Sequence, residues 1–286
     1  MRCATGRAPG RCSTTWCRRS SPSDTSPSEY VRFSANLSAF PGFSVDATAP
    51  DVRSLSPPTD PLDPVSHDER VLGLVERTRV ASDIERVSET DAAGASRLLA
   101  RAFADDPVIT HFLRDPKPRE VAFPAFFRAA LAEALPLGHV YAIRSNGHLA
   151  GVAAWLPPDP PEPAAETAAE IERHHRVVRE TFPTTSADLF DGFAALAEFH
   201  PSTPHWYLAF VGVDPTVQGQ GLGARLLAPV LRLADETRTV CYLETPFPRT
   251  HAFYKRLGFA PGREASPFVG APPIWTFLRQ PPEEGL

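Results

Sequence analysis

One stretch limits what this chain can fold into more than any other, and it runs from His205 to Phe259. It opens with an apolar run of strand length, Trp206 to Val213, which Asp214 and Pro215 stop. Gln218-Gly219-Gln220-Gly221-Leu222-Gly223 follows, and then an amphipathic pattern with Leu222, Leu226, Val230 and Leu233 on one face. A second apolar run, Val240 to Leu243, leads to a short helix that ends in Phe253-Tyr254-Lys255-Arg256-Leu257-Gly258-Phe259. The order is strand, glycine loop, helix, strand, helix.

The glycines have a physical reading. A helix that starts in a tight loop leaves its first N–H groups unpaired, and the helix dipole adds partial positive charge there. Without a Cβ, glycine lets an anion approach the backbone closely, so the loop suits a phosphate or pyrophosphate. A plain structural turn is the competing reading. Among nucleotide motifs, the P-loop is excluded, because Gly223-Ala224-Arg225 lacks Gly-Lys-Ser/Thr. Gly219, Gly221 and Ala224 match a dinucleotide fingerprint loosely. That motif expects several βα units, yet only about 60 residues follow, against ~100–150 for an ordinary domain. Coenzyme A is the third reading.

Here a resemblance becomes specific. Gln218 to Gly223, after a strand ending Val211-Gly212-Val213-Asp214-Pro215, resembles the pyrophosphate loop of the GNAT superfamily of N-acetyltransferases. Phe253-Tyr254-x-x-Leu257-Gly258-Phe259 resembles that superfamily's C-terminal signature. Within it, Trp206-Tyr207-Leu208, Leu243-Glu244-Thr245, Pro248-Arg249 and Ala102-Phe103-Ala104-Asp105 are similar to the puromycin N-acetyltransferase group. The similarity covers roughly residues 82 to 280. One position departs: Thr250 stands where those relatives usually carry a cofactor-holding Asn, and it lacks the amide.

The resemblance implies an α/β (α+β) fold with a mixed, mainly antiparallel sheet flanked by helices. It implies that the strands at 206–213 and 240–244 are parallel and splay apart, with acetyl-CoA entering the gap as cosubstrate. Val211, Gly212 and Val213 would offer backbone groups to the pantetheine arm. Gln218, Gly219, Gln220, Gly221, Leu222, Gly223 and Ala224 would hold the pyrophosphate, and Thr250 and Tyr254 would touch the cofactor. Arg225 is either an added positive charge there or a solvated surface residue.

Transfer to an amine also needs a base and an acid. A lysine-like amine of pKa ~10.4 costs about 4.6 kcal/mol to deprotonate at pH 7. Glu244, Glu198, His200, Asp105 and Asp106 are the candidate bases. Glu244 leads them, at the end of a strand beside the presumed splay. Tyr254 is the candidate general acid for the leaving thiolate, by resemblance and because a phenol donates a proton. The mildly acidic chain suits a cationic amine, whether of an antibiotic, a polyamine, an amino sugar or a protein, and the resemblance implies a small-molecule acceptor such as an antibiotic or aminonucleoside. A non-catalytic acyl-CoA-binding module and an NAD-dependent oxidoreductase are the other classes.

The rest of the chain reads as context. Of its 286 residues, 1–80 are rich in Ser, Pro, Arg and Thr and form an expected disordered extension ahead of a folded domain over 81–280. Residues 1–23 carry arginine but no acid, as in a transit peptide or an extension from an early start. Cys3, Cys12 and Cys17 fit no zinc spacing, and Cys241 reads as a small buried hydrophobe, so no metal site is expected. A net charge of −5 speaks against nucleic acid, and no run of ~18 apolar residues is present to span a membrane. A cytoplasmic monomer or homodimer is expected.

Within the domain, Ile84–Val87, His139–Ile143, His148–Leu156 and Ile274–Leu278 read as further strands. Ser145-Asn146-Gly147 is a hairpin signal. Thr90-Asp91 offers an N-cap to a helix that Asp105-Asp106-Pro107 ends. Helices are expected over about 118–135, 164–181 and 188–199, with Phe123, Phe126 and Phe127 in the core. From Phe259 to Ile274 a loop is expected.

Overall fold

A computed structural model describes residues 84–282. The expected disordered extension, its three cysteines, residues 81–83 and the last four residues lie outside the described part. The described chain forms a seven-stranded sheet in the order β1-β2-β3-β4-β5-β7-β6. Its strands are β1 Ile84–Arg86, β2 Val140–Ser145, β3 His148–Leu156, β4 His205–Val213, β5 Val240–Thr245, β6 Ala260–Ala265 and β7 Ile274–Arg279. Seven α-helices accompany them: α1 Ala92–Ala102, α2 Pro107–Phe112, α3 Pro116–Ala134, α4 Ala165–Thr181, α5 Ser186–Ala195, α6 Leu222–Glu236 and α7 His251–Arg256.

Every neighbouring pair in the sheet is antiparallel except β4 and β5. That parallel pair holds for three residues only, His205 with Val240, Trp206 with Cys241 and Tyr207 with Tyr242. Beyond it the strands part, as the resemblance implied. Each strand is secured on its other side. β4 runs against β3 from Tyr207 to Val213, and β5 against β7 from Cys241 to Thr245.

Two buried clusters cover the two faces. On one face, Leu98 and Leu99 of α1 and Phe126, Phe127 and Leu131 of α3 pack with Val152, Tyr207 and Tyr242. On the other, Leu226, Leu227 and Val230 of α6 pack with Trp155, Leu208 and Leu243. Strand alternation produces this division, since successive side chains point to opposite faces. Gly212 admits α1 to the first face: a Cβ there would lie 2.9 Å from Leu99 Cδ2 and 3.0 Å from the Ala102 Cβ. Cys241 is fully buried, and burial pushes its thiol up to about 12, which leaves it an inert filler.

The β2–β3 hairpin turns on Asn146 and Gly147 with φ of 50° and 80°, the pair of positive angles that matches strand twist. Pro229 sits inside α6 without ending it. Three expectations fail. Residues 260–265 form strand β6, not loop; its first five residues are exposed, so no alternation of buried and polar residues marks it. Asp91 occupies the N-cap of α1 but makes no capping bond; its carboxylate instead takes Ser88 Oγ (2.9 Å) and Arg144 (2.9 Å). The expected helix over 188–199 starts earlier, at Ser186, and tightens into a 3-10 turn after Ala195.

Asp105-Asp106-Pro107 does end α1, but it also starts α2. Asp106 is the N-cap of α2, and its Oδ1 accepts from the N–H groups of Val108 (2.9 Å) and Ile109 (2.8 Å). Its carboxyl is only 3% exposed, and burial raises it from 3.8 to about 6 despite those bonds. A carboxyl raised by folding stabilises the fold in its protonated form. The contribution is present below about pH 4 and is lost as pH rises through 6, on the order of 3 kcal/mol for two units. Asp106→Asn keeps an acceptor for the cap and removes this pH dependence between 4 and 7. Asp106→Ala loses the cap and about 0.5–2 kcal/mol. Urea denaturation of both variants at pH 5 and 7 separates the two terms.

Candidate active site

The parting of β4 and β5 opens a cleft of about 640 Å³. One wall comes from the cluster under α1 and α5, with Phe103, Phe193 and Phe268. The other comes from the side of α6 and α7, with Leu222, Phe253 and Tyr254. The cleft therefore passes through the sheet and separates the two clusters.

Along the open edge of β4, backbone groups lack a strand partner. Asp214 N–H donates to Ala150 O on β3 (2.9 Å), so strand alternation turns the backbone groups of Val213 and Val211 to the cleft side. Val211, Gly212 and Val213 all line the cleft. Gln218 reaches back to close the loop, its Nε2 donating to Val213 O at 3.0 Å. Asp214 anchors the loop's start. It pairs with Arg101 (2.7 Å) and accepts from Thr216 N–H (3.1 Å), and the Arg101 hydrogen bond first, then those from Thr216, lower its carboxyl to about 2.

Gly219 and Gly221 both adopt left-handed conformations, with φ of 78° and 77°. A Cβ at either would meet nothing within 4 Å, so these glycines serve the turn and leave open space over the start of α6. Gly223 has a different reason: a Cβ there would press on the Phe253 ring at 3.3 Å, so it lets α6 approach α7. Gln218, Gly219, Gly221, Leu222 and Gly223 line the cleft. Gln220, Ala224 and Arg225 do not.

Thr250 lines the cleft at the start of α7, but its hydroxyl is engaged locally. It donates to Phe247 O (2.8 Å) and lies 3.0 Å from Thr245 Oγ1. The residue thus holds the β5–α7 turn. Tyr254 lines the cleft from α7, 6% exposed, with Phe253, Phe259 and Phe277 around its ring. Burial pushes its phenol well above the ordinary value, so it stays protonated at neutral pH.

Of the five candidate bases, Glu244 and Asp106 line the cleft, and His200 packs against Glu244. Glu244 lines the cleft with a side chain only 6% exposed. His200 stands behind it, its Nε2 3.3 Å from Glu244 Oε1. Asp105 is exposed and paired with Arg249 (3.2 Å), and Asp106 is committed to its cap. Glu198 offers its backbone carbonyl to Arg263 (2.9 Å), and its side chain does not line the cleft.

Sequence reasoning missed the aromatic wall and the surroundings of Glu244. Tyr207 and Tyr242 face its carboxylate, and burial followed by that negative charge raises both phenols. The signal was present as His205-x-Tyr207 and Tyr242-x-Glu244, which strand alternation puts on one face. What the sequence lacked was the pairing that brings those two strands together.

The Acetyltransferase (GNAT) family profile matches residues 186–259, the stretch that holds β4, the glycine loop, α6, β5 and α7. An uncharacterized N-acetyltransferase of Schizosaccharomyces pombe is 23% identical over 196 residues, which is 61% of this chain and 73% of the relative. A Corynebacterium glutamicum crystal structure, described as histone acetyltransferase HPA2 and related acetyltransferase, shares the fold. It has a TM-score of 0.54 at 24% identity, over 71% of this chain and 98% of that one.

Gly221→Ala forces a side chain into the left-handed region, at about 1–2 kcal/mol. Thermal unfolding will show that loss.

Proposed function

We propose that this chain is an N-acetyltransferase of the kind its matched segment resembles, and that it moves the acetyl group of acetyl-CoA onto a primary amine of a small molecule. One observation carries the reading. A single cleft is lined at once by an open strand edge, an unfilled glycine loop at a helix start, a carboxylate and a phenol.

The residues fit the cosubstrate. The cleft-facing backbone of Val211 and the N–H of Val213, whose carbonyl is taken by Gln218, match an amide-bearing pantetheine arm. The first N–H groups of α6, with Gly219 and Gly221, suit its pyrophosphate. Bound there, acetyl-CoA supplies an activated acyl group. Holding both reactants in one cleft is worth up to about 7–11 kcal/mol in well-aligned systems.

Glu244 would take one proton of the incoming ammonium; the neutral amine would then form a C–N bond at the acetyl carbonyl as the C–S bond breaks, and the surplus proton on its nitrogen would pass to solvent. Tyr254, kept protonated by burial, donates a proton to the leaving sulfur. Thr250 serves through the turn that carries α7, so the missing Asn amide is no obstacle to this scheme. The lining of the same cleft by Phe103, Phe193 and Phe268 favours an amine on an apolar or aromatic body. Puromycin-like aminonucleosides meet that description and agree with the sequence resemblance. We place the reaction in the cytoplasm, with a reduced Cys241. Among the described residues no helix is long and apolar enough to cross a membrane.

Tyr254→Phe keeps acetyl-CoA affinity by calorimetry and lowers kcat at least about tenfold, within the 10²–10⁴ that acid–base groups supply. Glu244→Gln lowers kcat by at least as much. The assay is thiol release with a panel of aromatic and aliphatic amines. Acetyl-CoA binding without turnover on any amine would leave a cofactor-binding module in place of an enzyme.

A further inference from the structure

Glu244 is a carboxylate with a nearly buried side chain, and a base must be ionised to work. We infer that His200 is the counter-ion that keeps Glu244 ionised, and that His205 fixes which nitrogen of His200 faces it. The inference rests on the proposed role of Glu244 as base and adds two positioning residues behind it.

The proton order follows from the acceptors. Thr203 O can only accept, so His205 Nδ1, 2.8 Å away, carries a proton. Burial lowers the pKa of His205, which leaves it neutral with a bare Nε2. His200 Nδ1 lies 3.1 Å from that Nε2 and must donate to it. His200 Nε2 then faces Glu244 Oε1 at 3.3 Å, and neither atom has a hydrogen-bond partner among the described residues. A bare nitrogen against a carboxylate would set two buried lone pairs against each other. A proton on His200 Nε2 turns the contact into an ion pair, with both nitrogens of His200 donating.

The other groups around the pair cannot take this role. Tyr207 of β4 and Tyr242 of β5 are phenols kept neutral by burial and by Glu244 itself. Glu133 of α3 and Asp159, after β3, act on Tyr207 and His205, and both are acids. Arg263 of β6 acts on Tyr242, but its guanidinium is bonded to Glu198 O and lies over the Phe199 ring at 4.4 Å. His200 itself is held by ring contacts with His205, Tyr207 and Tyr242 at 5.2, 4.5 and 4.8 Å.

The test has two arms on the full chain. The first is nitrogen-15 NMR of histidine-labelled protein at pH 7, with His200→Gln and His205→Gln used for assignment. The expected result is His200 protonated on both nitrogens and His205 on Nδ1 alone, with the His200 imidazolium lost in Glu244→Gln. A neutral His200, or His205 protonated on Nε2, overturns the inference. The second arm follows kcat/KM against pH. His200→Gln should move the acid limb up by at least one unit, a tenfold loss on that limb, with less than about threefold change on the alkaline plateau. An unmoved limb in a variant of normal melting temperature and normal acetyl-CoA affinity also overturns it. Wild-type protein inactive on every amine would sink the acetyl-transfer reading instead, and the NMR arm would still decide the ion pair.

Discussion

The parting of β4 and β5 governs the rest of this structure. Parallel strands normally continue side by side, because each unpaired backbone group away from water is costly. Here the pairing stops after three residues, yet both strands continue for several more. They can do so because each has a long antiparallel partner on its far side, β3 for β4 and β7 for β5. The sheet is thus two half-sheets joined at a short seam, and the gap between them is the cleft.

Everything placed at the cleft follows from that seam. The glycine loop and the start of α6 come where β4 ends. Glu244 and Thr245 come where β5 ends, and α7 returns Tyr254 to the gap. Strand alternation then sorts the side chains by face. His205, Tyr207, Tyr242 and Glu244 share the face under the helices α1 to α5. Leu208 and Leu243 turn to α6. Burying a carboxylate on the first face is expensive without a partner, and the two phenols and His200 are what surround it.

Much of this was legible in the sequence, where a strong local signal matched a single period. The strand over 148–156, the Asn146-Gly147 hairpin and the phenylalanine face of α3 rest on a continuous apolar run, turn chemistry and helical spacing respectively. The glycine loop was legible because few other segments need two left-handed glycines before a helix. Strand β6 was not, because an exposed edge strand with Pro261 and Gly262 carries no buried face. Nor was α2, six residues whose main signal, Asp106 before Pro107, also reads as a stop. Among the candidate bases, Asp105, Asp106 and Glu198 were indistinguishable from Glu244 as acids in a string. Contacts across the fold separate them: one pairs with Arg249, one caps a helix and one lies off the cleft.

The cleft also has a meaning for the stability of the protein as a whole. It divides the hydrophobic interior, so the two clusters meet mainly through the sheet and its short seam. A molecule seated in the gap would complete the interrupted ladder and touch both clusters, joining them from within. Such a ligand binds the native state and not the unfolded chain, so it adds RT ln(1 + [L]/Kd), about 2.7 kcal/mol at a hundred times Kd. The melting temperature of this protein is therefore a property of its surroundings as much as of its sequence, rising and falling with the supply of whatever fills the gap.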